Sequence, residues 1–195
     1  LPPEKKLLIF DRTNFLMFQP YFKSANYEIL DTRGESLNLP IMFKAFLRNP
    51  FKISFKNYFR EYIRSVKPKV VIAFTDYNLF FAKLKEEFND ITTIFVQNGN
   101  RGLEDGIMNV LEKCSDKEFS VDYMFVYNNN IKKFYQKYFK GEIILMGSFR
   151  NNQIPIKKAN IDTKNPYIVY ISQFRKQLET PLKKKTWKLK NKTVT

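Results

Sequence analysis

Short runs of β-branched and aromatic residues recur along this chain, and several stop abruptly in amides, hydroxyls or arginines. Val70-Val71-Ile72-Ala73-Phe74 gives way to Thr75-Asp76-Tyr77-Asn78. Thr92-Thr93-Ile94-Phe95-Val96 ends in Gln97-Asn98-Gly99-Asn100-Arg101, and Ile143-Ile144-Leu145-Met146 in Gly147-Ser148-Phe149-Arg150-Asn151-Asn152. Further runs at 5–11, 27–31 and 122–127 read as strands of the same kind. Between them the apolar positions take helical spacing. Phe55, Tyr58, Phe59, Tyr62, Ile63 and Val66 mark a helix over 51–66 that Lys67-Pro68 ends. Others are expected at 77–88, near 107–114, and at 129–139, where Gly141 is expected to stop the helix. Pro40 and Pro50 read as punctuation. Strands alternating with helices predict parallel βαβ units with right-handed crossovers. The fold class is therefore α/β, a Rossmann-like parallel sheet of five or six strands with flanking helices. Ligands bind such sheets outside the carboxyl ends of the strands, so the three polar exits are expected to line one cleft.

Composition narrows the chemistry. The 195 residues contain no histidine and a single cysteine, Cys114. A Ser-His-Asp triad, a His-bound zinc, a thiolate cluster and an intrachain disulfide are excluded within this chain, and a reducing, cytoplasmic setting fits. No carboxylate pair at metal-ligand spacing stands at a strand exit, so no metal ligand is assigned. No apolar run reaches the length of a membrane span, and Leu7–Phe10 is too short for a signal peptide. The formal charge is +15, but it is unevenly spread. Eleven basic residues face two acids after Arg150, against twenty-three and seventeen in residues 1–150. The excess is read as a property of the tail, so nucleic acid is not an expected partner of the folded body. Lys183-Lys184-Lys185 with Trp187 reads first as a solvated, disordered end, and otherwise as a dock for an anionic membrane surface or RNA.

Four segments follow from this pattern: a Rossmann-like domain over 1–152, a linker over 153–165, the first strand of a second domain over 166–176, and a basic tail over 177–195. The second domain starts at Pro166-Tyr167-Ile168-Val169-Tyr170-Ile171 and acquires no helix or further strand, so a truncated second half is expected.

Asn98-Gly99-Asn100-Arg101 after one strand, Gly147 to Asn152 after another, and Tyr170-Ile171-Ser172-Gln173-Phe174-Arg175 after a linker resemble the bacterial surface-carbohydrate biosynthesis transferases. The resemblance runs by order of motifs over roughly residues 5–176 and fails completely beyond Lys176. It implies the GT-B arrangement of two Rossmann-like domains, of which this chain supplies the amino-terminal, acceptor-side one. It implies no covalently bound cofactor, and a nucleotide-activated donor held by the other domain of an intact enzyme. The acceptor would be a carbohydrate or a polyol phosphate. Related glycerophosphate-type transferases carry a His-Gly pair at a comparable exit; here the pair is Asn98-Gly99, which cannot accept a proton.

The candidate site residues each carry two readings. Asp76 is a general base facing the cleft or the N-cap of the next helix. Gln97, Asn98 and Gly99 contact sugar hydroxyls or build an Asn-Gly turn. Arg101 and Arg150 fork onto phosphate or carboxylate, or are surface arginines. Ser148 and Asn151 touch ligand or cap a hinge. The leading functional reading is a glycosyl- or glycerophosphate-type transferase domain for cell-surface polysaccharide, cytoplasmic and peripheral at the inner membrane. Its rivals are a basic nucleic-acid- or membrane-associating protein and a non-catalytic remnant.

Overall fold

The computed structural model describes residues 1–22, 26–34, 36–51, 54–99 and 106–152. Of these, the side chains of Met17, Arg150 and Asn152 are not described. The expected linker, the strand over 166–176 and the basic tail lie outside the described residues, as does Arg101. Residues 1–155 belong to one compact unit.

Six strands form one sheet: β1 (Leu7–Phe10), β2 (Tyr27–Leu30), β3 (Val70–Ala73), β4 (Thr92–Val96), β5 (Phe119–Val126) and β6 (Phe139–Leu145). Their order is β2-β1-β3-β4-β5-β6 and every pairing is parallel. The register aligns the strand ends: Phe10 pairs with Leu30 and Ala73, Ala73 with Phe95, and Val126 with Leu145. This is the α/β, Rossmann-like sheet the sequence predicts.

Strand order dictates which face each connection covers. The β1→β2 step runs in one direction and all later steps in the other, so right-handed crossovers put them on opposite faces. One face is covered by α2 (Leu39–Arg48), α3 (Phe55–Val66), a 3-10 turn over Phe81–Glu86, α4 (Gly106–Leu111) and α5 (Asn129–Tyr138). Their Ile41, Ile63, Phe81, Met108 and Tyr135 pack on Leu8, Phe10, Val71, Phe95 and Met124. The other face carries α1 (Phe15–Phe18), reached through Asn14 in the left-handed region, and the following 3-10 turn over Gln19–Phe22. There Phe15 and Phe18 cluster with Ile9, Ile72, Phe74 and Val96. Alternate residues of one strand thus serve two cores, as the pleat requires.

Local chemistry sets the helix starts. Asn38, Ser54 and Asn128 accept from the backbone N–H groups of Ile41, Asn57 and Ile131 at 3.2, 3.3 and 3.0 Å, the preferred N-cap contact. Lys67 closes α3 in the left-handed region. Three sequence expectations differ from the structure. Pro40 opens α2 rather than breaking the chain, because an N-terminal position needs no N–H donor. The expected helix over 77–88 is a 3-10 turn preceded by tight turns, since the Asn78 side chain takes the N–H groups of Phe80 and Phe81 and restarts the chain there. Gly141 does not stop α5, which ends at Tyr138 and passes directly into β6.

Gly141 instead sits opposite a bulge. Ser120 pairs with Lys140 and Tyr123 with Glu142, so two β5 residues oppose one β6 residue. Gly141 takes φ 108°, and a Cβ built on it would lie 1.7 Å from the Val121 carbonyl oxygen. Only glycine fits there. Gly141→Ala should therefore cost at least about 3 kcal/mol in a urea unfolding titration; a variant within about 0.5 kcal/mol of wild type would contradict the bulge geometry.

Candidate functional site at the carboxyl edge of the sheet

Because every strand runs the same way, all six polar exits emerge on one edge. Neighbouring strands lie about 4.8 Å apart, so the exits of β3, β4 and β6 span about 14 Å. The strand order reverses between β1 and β3, where such sheets hold their ligands.

Two buried carboxylates lie on the β1 side of that reversal, at the ends of β1 and β2. Asp11 leaves β1 with φ 76°, a left-handed conformation that costs energy in a non-glycine residue. Its Oδ1 accepts from the Thr13 N–H at 2.8 Å and its Oδ2 lies 3.6 Å from Arg33 Nε. Asp31, after β2, accepts from Arg12 Nε at 2.8 Å and Nη2 at 3.2 Å, and from the Ser36 hydroxyl at 2.5 Å. Arg33 also donates to the Tyr77 hydroxyl at 3.2 Å, which links the β2 and β3 exits. From sequence, Asp11-Arg12-Thr13-Asn14 reads as the first strand exit, either near a ligand or a salt-bridged turn; the Arg12–Asp31 and Arg33–Asp11 pairs make it salt-bridged.

The β3 exit is fully enclosed. Phe74, Thr75 and Asp76 are each 1% exposed. Asp76 Oδ2 accepts from the Tyr135 hydroxyl at 2.8 Å, joining the β3 exit to α5 across 59 residues of sequence. No local pattern pointed to Tyr135. The neighbouring Thr75 hydroxyl is buried and has no hydrogen-bond partner among the described residues.

At the β4 exit Gln97 is buried, and its amide is engaged with backbone at both ends. Oε1 accepts from the Tyr127 N–H at 2.8 Å and Nε2 donates to the Gly99 carbonyl at 2.7 Å. Asn98 and Gly99 are partly exposed. A hairpin-type Asn-Gly turn would put Gly99 at positive φ, and Gly99 is not there; a Cβ added to it would meet nothing within 4 Å.

At the β6 exit Gly147 has φ 76° and α6 (Phe149–Asn152) follows. Ser148 Oγ accepts from the Asn151 N–H at 3.4 Å, a capping contact, and Asn151 is exposed. Phe149 packs on Phe18 with ring centroids 4.0 Å apart, and Phe18 stacks on Phe74 at 3.8 Å. This aromatic stack draws the β6 exit across the sheet toward Thr75 and Asp76. Asp76, Gln97, Asn98, Gly99, Ser148 and Asn151 thus share one edge. Among the described residues no group of three or more His, Cys, Asp or Glu could hold a metal ion.

The electrostatics make a first prediction. The Arg12 hydrogen bond above all, with help from Ser36, holds the Asp31 carboxyl below its ordinary value against the opposing pull of burial. A carboxyl depressed in the folded state adds stability that is complete above its unfolded value, about 3.9, and is lost as pH falls through the folded value. Urea midpoints should fall below about pH 4, and Asp31→Asn should flatten that acid limb while lowering stability at neutral pH. A second prediction concerns Thr75. An unpartnered buried hydroxyl contributes nothing to the fold, so Thr75→Val should be neutral or stabilising by about 1 kcal/mol in thermal melts; a clear loss would mean the hydroxyl has a structural partner.

A family model described as "putative O-antigen biosynthesis protein" matches residues 94–194, just over half of the chain. No curated protein and no solved structure matches the sequence.

Proposed function

The chain belongs to this family of O-antigen biosynthesis proteins, and from that premise we propose that it is the acceptor-binding domain of a glycosyl- or glycerophosphate-type transferase. The observation that carries the reading is the gathering of the β1, β3, β4 and β6 exits on one edge, with amides and hydroxyls outside and carboxylates beneath. Sugar and polyol acceptors present many hydroxyls, and partly exposed Asn98, Ser148 and Asn151 offer matching donors and acceptors. Among the described residues nothing lies within 4 Å of a Cβ built on Gly99, which leaves room on that side for a ring to approach the backbone. Gln97 acts through others: it fixes the Gly99 carbonyl and the start of the β5 exit, and is a positioning residue. Arg101 and Arg150 are assigned to acceptor or phosphate contact from sequence alone.

Asp76 is the proposed base. It would take the proton of the acceptor hydroxyl, whose oxygen attacks the anomeric carbon or the phosphorus of the donor while the nucleotide phosphate leaves. The donor would be a nucleotide-activated sugar or glycerol, bound outside residues 1–152. No helix among the described residues is long and apolar enough to cross a membrane; the reading makes the protein a cytoplasmic one that works beside the membrane.

The demanding step is access, because a base must come within hydrogen-bond reach of the acceptor and Asp76 is 1% exposed. The test is Asp76→Asn in the enzyme that carries this domain. A base predicts a loss of 10²- to 10⁴-fold in turnover, about the worth of general-base catalysis, with acceptor KM little changed. Tyr135→Phe removes the hydrogen bond to Asp76, and should alter the pH profile of turnover while retaining most of the rate. If Asp76→Asn lowers stability but leaves turnover per folded molecule at the wild-type level, Asp76 is structural and the base assignment is wrong.

A further inference from the structure

A second surface is not explained by acceptor binding. Helix α2 buries only Ile41 and Ala45, while Leu39, Met42, Phe43, Phe46 and Leu47 point outward. At 100° per residue those five cover an arc opposite the buried pair, so α2 is apolar on both sides. Leu39, Phe43 and Leu47 are 71%, 61% and 62% exposed, and Phe51 just beyond the helix is 98% exposed. The patch continues into a groove of about 210 Å³ between α2 and α3, lined by Leu37, Met42, Phe46, Phe55 and Tyr58. Scattered exposed apolar residues are ordinary; a contiguous patch of this kind marks an interaction surface.

Charge identifies the occupant. Residues 37–60 contain no acid, and Lys44, Arg48, Lys52, Lys56 and Arg60 recur at every fourth position. Arg48 and Arg60 are paired with Glu61 and Glu87. Lys44 and Lys56 are exposed, and neither has an ion-pair partner among the described residues. Protein interface cores are depleted in lysine. Bulky Leu and Phe side chains rimmed by lysines are instead the composition of helices that lie in the headgroup region of an anionic bilayer.

We propose that the outward face of α2, with the α2–α3 groove and Phe51, docks the protein on an anionic membrane surface. The helix would lie along the bilayer plane, with Phe43, Phe46, Leu47 and Phe51 entering the acyl boundary and Lys44 and Lys56 meeting lipid phosphates. The apolar insertion and the charge are separate contributions, and this separates the surface from the lysine-rich carboxyl-terminal residues, which could supply charge alone. The inference stands apart from the transferase reading and would survive its failure.

The test is flotation of the full chain with vesicles of phosphatidylcholine, with and without phosphatidylglycerol. Wild type should float with the anionic vesicles and hardly at all with the neutral ones. Phe43→Ser with Leu47→Ser keeps every charge and alters two side chains already mostly exposed, so the fold, checked by circular dichroism and melting, should persist. Membrane partition should fall at least tenfold. Lys44→Gln with Lys56→Gln should reduce it by about fivefold per charge at low salt. Wild-type partition by the Phe43/Leu47 variant would overturn the proposal, leaving the tail as the binding element. So would an absence of anionic-vesicle binding by wild type. A dimer in sedimentation that the same variant dissolves, without vesicle binding, would assign the face to a second copy of the chain.

Discussion

Everything in this molecule depends on six strands running parallel in register. The ladder has two consequences that no single residue could impose. It sends every connection back over a face of the sheet, which is why one face carries five elements and the other chiefly α1 and its following turn. It also delivers every strand exit to the same edge. Phe10, Leu30, Ala73 and Phe95 are ladder partners, so the residues just beyond them are neighbours whatever their distance in sequence. The edge is polar because the exits are polar, and it is crowded because the strands are only about 4.8 Å apart. A cluster of carboxylates, arginines and amides follows from topology before any question of ligand arises.

Much of this was legible in the sequence, because burial on both faces leaves a strong mark. A strand such as Val70–Ala73, enclosed by two cores, must be apolar throughout, and that run stands out against its surroundings. Helices α3 and α5 were legible for the same reason: each has one buried stripe and one polar face. What sequence could not yield was whatever depends on a partner far along the chain. Tyr135 reads as an ordinary inner-face aromatic until its hydroxyl is found on Asp76. Gln97 reads as a ligand contact at the tip of a strand until both ends of its amide are found on backbone. Gly141 reads as a helix stop, and only the opposing Val121 carbonyl reveals its reason.

Helix α2 escaped for a different cause. Pro40 and Pro50 drew attention as breaks, and the outward face of the helix carries Leu, Met and Phe where polar residues are the usual signal. Periodicity detects a contrast between a dry face and a wet one, and in α2 the polar side is reduced to Lys44 and Arg48. The useful signal was the charge pattern, twenty-four residues over 37–60 without an acid. Net charge for the whole chain concealed it, since the lysines of the carboxyl-terminal residues dominate the total.

The polar edge is organised in two layers, and the division bears on how it could work. Beneath lie groups whose hydrogen bonds are committed: Asp11 to Thr13, Asp31 to Arg12 and Ser36, Asp76 to Tyr135, Gln97 to Tyr127 and Gly99. Each ties the tip of one strand to another part of the fold, or fixes the turn that follows it, and each is buried where a lost partner is costly. Above lie Asn98, Gly99, Ser148 and Asn151, with at least part of their surface open. A site that recognises hydroxyls needs donors and acceptors held at fixed positions, because ordering them at the moment of binding would consume the binding energy. The lower layer supplies that rigidity. The Thr75 hydroxyl, buried and without a hydrogen-bond partner among the described residues, stands beside the carboxylate proposed to do the chemistry.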